Sequence, residues 1–217
     1  MTVDLANSDQ LLTTTRAVRK RLDFDIPVGR SLIEQSVEVA LQAPSGSDLY
    51  PVDFVVVTDP ERRKLMGEIY CEAYFPYLDE IQPHFIAKLT GEAAAQFTRH
   101  IDMVRWHAEN VHRAPVHVRV GGKGRYEKLD VFEQATFYGC ILPPAWSFML
   151  ALRARGIGSS WTTIHLKDPY EERMRELLEL PKDYTLGVFL PCGYYKGKDF
   201  KSAQRPALSE VLHWDKW

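Results

Sequence analysis

Ten residues near the N-terminus, Thr13-Thr-Thr-Arg-Ala-Val-Arg-Lys-Arg-Leu22, hold four positive charges within six positions of a chain whose formal net charge is only −2. Like charges this close repel unless an anion sits among them. The cluster reads either as a pocket for a phosphate or as a solvated helix end, and spacing alone leaves both open. Other chemistries are less well served. A hydrolytic nucleophile needs a base held beside it, and the chain has no Gly-x-Ser-x-Gly elbow, leaving only Ser159 or Ser160 with His165 as a loose pairing. His107 and His112 are five apart, so on a helix they point about 140° away from each other and share no face for a metal. Most of the seven histidines are therefore expected at the surface or as caps. Gly121-Gly-Lys-Gly124 fits neither phosphate-loop spacing nor Gly-x-Gly-x-x-Gly and is read as a turn.

The elements that must position these residues follow from pattern. Ser8 or Asn7 is placed to cap a short helix running toward Leu22, with the basic cluster at its C-terminal end, where the helix dipole favours cations. Leu32, Ile33, Val37, Ala40 and Leu41 form one apolar stripe of a helix that Pro44 ends. The loop Ala43-Pro-Ser-Gly-Ser-Asp48 precedes a buried strand at 54–57. Residues 61–113 read as mostly helical, with Tyr70, Tyr74, Phe75, Tyr77 and Phe85 crowded in the middle. Such a cluster suits core, a subunit interface, or a lid over a flat aromatic ligand. A strand over 115–120, a long apolar helix over 132–155 closed by Gly156-Ile-Gly158, an extended hydroxyl-rich segment over 159–165, a helix from Pro169 to 180 and a strand over 184–190 complete the chain. Mixed helices and few strands indicate an α+β or α/β sandwich.

The 217 residues suffice for one domain, 1–217, with 45% apolar and 26% charged residues. A pI near 6.4 argues against a general binder of nucleic acid or membrane surfaces, so any phosphate recognition is local. Cys71, Cys140 and Cys192 are odd in number and widely spaced, which suits reduced thiols in the cytoplasm. Residues 1–10 carry Asp4 and Asp9 and lack the apolar core of a secretory signal, and the apolar run 138–152 is short and contains Pro143-Pro144.

Taken in order, several segments resemble the FMN-dependent nitroreductase family. They are Thr15-Arg-Ala-Val-Arg19, Ala43-Pro-Ser-Gly-Ser-Asp48, Phe54-Val-Val-Val-Thr-Asp59, Arg155-Gly-Ile-Gly-Ser-Ser-Trp161, Leu190-Pro-Cys-Gly-Tyr194, and Arg205-Pro-Ala-Leu208 with His213-Trp214. The resemblance implies an α+β fold, a three-layer α/β/α sandwich in an intertwined homodimer, with two FMN sites built from both chains. NADH or NADPH would be the electron donor and a small molecule the acceptor.

Position by position, the resemblance assigns Arg16, Ala17 and Arg19 to the basic motif and Arg205 to the FMN phosphate, a near-dianion suited to planar guanidinium groups. Pro44, Ser45, Ser47 and Asp48 fall in the loop reaching the pyrimidine side of the flavin. Pro143 falls behind the ring, and Trp161, Thr162 and Thr163 in the segment approaching N5. Tyr70, Tyr74 and Tyr77 are the expected acceptor contacts. Asp48, Tyr50 and Val52 stand where the family commonly has Asn, Gln and Trp. An ionised Asp48 only accepts hydrogen bonds: it is placed either to accept from flavin N3–H, where it would repel a reduced anionic ring, or merely to close its turn. The fold also admits a reductive dehalogenase, a flavin-consuming enzyme or a non-catalytic flavin binder, and no signature picks the substrate.

Overall fold

The computed structural model describes residues 4–46, 51–126 and 128–217. Seven helices and four strands are formed among them: α1 (Leu5–Thr14), α2 (Arg30–Ala40), β1 (Val52–Val57), α3 (Pro60–Ile86), α4 (Gly91–Asn110), β2 (Val116–Lys123), α5 (Val131–Ala154), β3 (Ile157–Ser159), α6 (Tyr170–Leu177), β4 (Tyr184–Tyr194) and α7 (Leu208–Val211). The strands make one sheet in the order β1-β2-β4-β3, with every neighbouring pair antiparallel.

Alternation in β2 sorts its residues between two faces. Val116, Val118 and Val120 join Ile141, Phe148 and Leu152 of α5 and Ile33 and Ala40 of α2 in one core. The opposite face, covered by α3 and α6, holds Met66, Ile69, Tyr70, Met174 and Phe189. The molecule is thus the expected three-layer α/β/α sandwich, with α4 packed outside α3 through Leu78, Ile101 and Val104. β4 serves both cores because Gly187 is an extra residue between the Leu186 and Val188 pairings. This bulge turns Tyr184 and Leu186 toward the α3/α6 side and Val188, Leu190 and Cys192 toward α5.

α5 begins with a capping box between Asp130 and Glu133 and buries one stripe, including Phe137, Ile141, Ala145, Phe148 and Leu152. Gly156, at φ +77°, releases the chain from its C-terminus. Among the described helices α5 is the one long and apolar enough to cross a bilayer, yet half of its apolar window is buried inside the sandwich.

Three local expectations are corrected. The first helix is capped by Asp4, not Ser8 or Asn7, and stops at Thr14. Thr13, Thr14 and Thr15 each donate their hydroxyl to the carbonyl four residues back, a bond that competes with helix propagation. The basic residues therefore follow the helix in a strap, residues 15–23, without regular helical structure. Gly121 and Gly122 lie inside β2 instead of forming a turn, because a Cβ at either would sit 2.5 Å from the Thr185 carbonyl or 2.2 Å from that of Pro51. β1 is only half-buried, since as an edge strand it leaves Asp53 and Val56 exposed.

Candidate functional site

The strap is held by the edge of the sheet. Val18 N–H donates to Ser159 O at 2.8 Å, Asp23 N–H to Tyr194 O at 2.7 Å, and Lys196 N–H to Arg21 O at 2.9 Å. Gly158 makes this approach possible: a Cβ there would lie 2.9 Å from Val18 Cβ. The strap lines a cleft of about 580 Å³ with Arg16, Ala17 and Arg19, closed on the other side by Asp199, Phe200 and Lys201.

The four charges divide. Arg21 pairs with Asp199 at 3.1 Å and lies over Phe200, while Lys20 lies over Trp106. Arg16 is exposed and donates only a long bond, 3.4 Å, to Lys201 O. Arg19 is half-buried, and burial holds its guanidinium below the usual range. Neither Arg16 nor Arg19 has a carboxylate partner among the described residues.

A second cleft, about 360 Å³, is lined by Tyr74, Tyr77, Trp161, Thr162, Thr163 and Lys167. Its floor is built by pairing Thr162 with Phe189 of β4: the Thr162 N–H donates to Phe189 O at 3.1 Å and the Phe189 N–H to Thr162 O at 2.9 Å. The Thr162 peptide is thereby spent, whereas Thr163 is exposed just before a 3-10 turn at Ile164–Leu166. Tyr74 stacks on Tyr70 with ring centroids 5.3 Å apart. Tyr70 itself is 2% exposed and does not line the cleft; its hydroxyl lies 3.2 Å from Thr162 Oγ1. Arg19, which lines the first cleft, places its charge within electrostatic reach of Tyr74 in the second and of Tyr70 and His107.

The remaining predicted residues lie elsewhere. Pro44 is exposed beside Ser45, and the loop is pinned to α5 by Gly46 N–H donating to Cys140 Sγ at 3.3 Å. Pro143 is half-buried one turn further along α5. Arg205 lies exposed in the C-terminal tail. Ser47, Asp48 and Tyr50 fall outside the described residues.

Beneath the second cleft lies a layer that the sequence reading missed. His107, His117 and His165 are buried, contrary to the expectation of surface positions. His107 Nε2 lies 3.1 Å from Ser160 Oγ, and burial, then Arg19, push its pKa down to about 3. His117 Nε2 donates to Val111 O at 2.9 Å, and burial takes its pKa to about 3 as well. Burial likewise drives His165 well below its ordinary value. All three are neutral rings. Among them Arg119 is fully buried, with its Cζ 3.8 Å from the Phe189 ring centre. One Nη reaches Met174 Sδ at 3.1 Å, while Nε and the other Nη have no partner among the described residues. The alternation Val116-His-Val-Arg-Val120 marked this polar face, but alternation does not reveal that α3 and α6 cover it.

The family model for the nitroreductase family matches residues 12–194. The chain belongs to the nitroreductase family. It is 26% identical over 210 residues to an NADH dehydrogenase of Thermus thermophilus, covering 92% of this chain and 91% of that one. It is also 26% identical over 202 residues to an iodotyrosine deiodinase of Nematostella vectensis, covering 91% and 70%. Among solved structures, an FMN and NADPH-dependent nitroreductase, NfnB, from Sphigopyxis sp. strain HMH superposes with a TM-score of 0.66 at 21% identity, over 97% of this chain and 99% of that one. The nitroreductase fold is thus shared across nearly the whole chain.

Proposed function

We propose that this protein is an FMN-dependent oxidoreductase, a homodimer that takes hydride from NADH or NADPH and delivers it to a small nitroaromatic, quinone, enone or other aromatic acceptor. The observation that carries the reading is a pair of guanidinium groups with no carboxylate partner among the described residues, Arg16 and Arg19, the second within electrostatic reach of Tyr74 in an aromatic, hydroxyl-lined cleft with Tyr77, Thr162 and Thr163. That donor set suits a phosphate at one end and a flat ring at the other. The NADH dehydrogenase and NADPH-dependent nitroreductase similarities point the same way.

When bound, the flavin supplies hydride transfer at N5. The chain's own residues bind and orient. Arg16, with Ala17 beside it, would hold the phosphate together with Arg205 of a second copy, and Arg19 would extend positive charge toward the ring. Thr162 and Thr163 present hydrogen-bond donors to the N5 edge, flanked by Trp161. Pro44, Ser45, Ser47, Asp48 and Pro143 serve the ring from the other side, and Tyr74 and Tyr77 flank the acceptor. NAD(P)H and acceptor occupy the cleft in turn, a ping-pong order that needs no strong base from the protein.

The homodimer reading is supported by what one chain leaves uncovered. α1 buries no residue, and the tail exposes Leu208, Val211, Trp214 and Trp217. Arg205 and the Pro44–Ser45 loop line neither cleft, which suits a site completed by a second copy. A reductive dehalogenase is the second reading, favoured by the iodotyrosine deiodinase similarity.

The purified protein mixed with FMN and desalted is expected to remain yellow and to bleach anaerobically with NADH or NADPH. A preparation that retains no FMN overturns the proposal. Arg16→Ala and Arg205→Ala are each expected to weaken FMN binding by roughly 1.5–3 kcal/mol. Unchanged affinity in both refutes the phosphate assignment.

A further inference from the structure

We propose that Tyr70 is a positioning residue: its buried phenol donates a hydrogen bond to Thr162 Oγ1 and so forces the Thr162 hydroxyl to donate outward, into the cleft, toward flavin N5, which accepts a hydrogen bond when oxidised and carries its own hydrogen when reduced. The inference rests on the FMN reading above and assigns a role beyond it.

The geometry leaves Thr162 few choices. Both its peptide groups are engaged by Phe189, so only its hydroxyl is left to offer a ligand. That hydroxyl has two possible states: donating to Tyr70, or accepting from Tyr70 and donating to whatever fills the cleft. Three observations favour the second. A phenol is a stronger acid than an aliphatic alcohol and therefore the better donor of the pair, while the alcohol oxygen is the better acceptor. Burial pushes the Tyr70 phenol up, so the group keeps its proton. Finally, Tyr70 lies within electrostatic reach of both Arg19 and the fully buried Arg119. Nearby cations favour negative charge on the phenol oxygen and so strengthen its O–H as a donor.

Tyr70 is also rigid. Its ring stacks on Tyr74, meets Phe189 edge-on at 6.0 Å, and lies 6.3 Å from the neutral His107 ring. A fixed phenol gives a fixed Thr162 rotor, so the outward donor is oriented before a ligand arrives.

The test measures Kd for oxidised and for dithionite-reduced FMN in the wild type, Tyr70→Phe, Thr162→Val, Thr162→Ser and the double variant Tyr70→Phe/Thr162→Val. Tyr70→Phe is expected to leave reduced FMN binding within about twofold and to weaken oxidised FMN binding about tenfold. The midpoint potential would rise by about 30 mV for this two-electron couple. Thr162→Val is expected to match or exceed that loss, Thr162→Ser to restore most of it, and the double variant to be no worse than Thr162→Val alone. Site-specific 3-fluorotyrosine at position 70, a more acidic phenol of nearly the same shape, is expected to move the reduced-to-oxidised affinity ratio the opposite way. This keeps the test decisive should Tyr70→Phe fold poorly. An unchanged ratio in Tyr70→Phe or with 3-fluorotyrosine, or losses that multiply in the double variant, would overturn the assignment while leaving the FMN reading intact. Failure of the wild type to bind FMN would overturn both.

Discussion

Acidification from pH 7 to pH 5 is expected to remove about 4 kcal/mol of folding stability through His107 and His117, with His165 adding in the same direction. His107, His117 and His165 are 5%, 0% and 0% exposed, and each has an ordinary value of 6.5 outside the fold. Inside it, burial is the largest cause of depression for all three, with neighbouring arginines adding to it. The unfolded chain therefore takes up protons that the folded chain refuses. Above pH 6.5 neither state holds them and stability is flat; below it, stability is lost steadily until the folded values, about 3 for His107 and His117, are reached. Between pH 7 and pH 5 His107 and His117, with folded values of about 3, each contribute about 2 kcal/mol.

Equilibrium urea unfolding at one fixed protein concentration, followed by circular dichroism at both pH values, measures the loss. His165→Phe isolates one share, because both nitrogens of His165 lack partners and its ring already meets Phe189 edge-on. The variant is expected to lose less stability than the wild type over the same interval. A wild-type loss below about 2 kcal/mol, or an equally steep loss in His165→Phe, would refute the assignment of these rings as buried and neutral.

Two further outcomes test the same face and the strap above it. Arg119→Met keeps an unbranched chain beside Met174 and Phe189 and removes a guanidinium with two unpartnered nitrogens, so urea unfolding at pH 7 should show a gain of roughly 1–3 kcal/mol; a loss would mean that the charge is compensated. Gly158→Ala places a Cβ 2.9 Å from Val18 Cβ and Cγ2, which pushes the strap off β3; titration should show FMN binding weakened by roughly tenfold or more, and an unchanged affinity would detach the strap from the site.

What the sequence made legible was whatever a local period or breaker controls. The stripe Leu32-Ile33-Val37-Ala40 is α2, and the capped apolar run through Phe148 and Leu152 is α5. Gly121-Gly122 misled because glycine pairs usually punctuate turns, whereas here they answer to carbonyls of Thr185 and Pro51, residues far away in the chain. The first helix was overextended because the competing bonds of Thr13, Thr14 and Thr15 stop it before the charges begin. The candidate site was legible in pieces. Arg16, Ala17 and Arg19 fall in one cleft and Trp161, Thr162 and Thr163 in the next, but the placement of Arg205 and Pro44 depends on tail and loop paths that no short motif encodes.

The two faces of the sheet differ in a way that bears on function. Toward α5, valines, isoleucines and phenylalanines fill the core with apolar surface. Toward α3 the same sheet buries Arg119, His117 and, beside Phe189, His165, and the strap adds the half-buried Arg19. Placing a guanidinium among apolar rings without a carboxylate destabilises the folded state, and apolar residues of similar volume would pack there at less cost. This destabilisation falls in the layer that holds Tyr70, whose hydroxyl reaches Thr162 of the second cleft, where under the proposed function a positive field would act on a ligand's developing negative charge. The valine-rich face therefore provides the stability from which the cationic face subtracts, and Arg119→Met should separate the two, raising stability while weakening binding of reduced FMN relative to oxidised FMN.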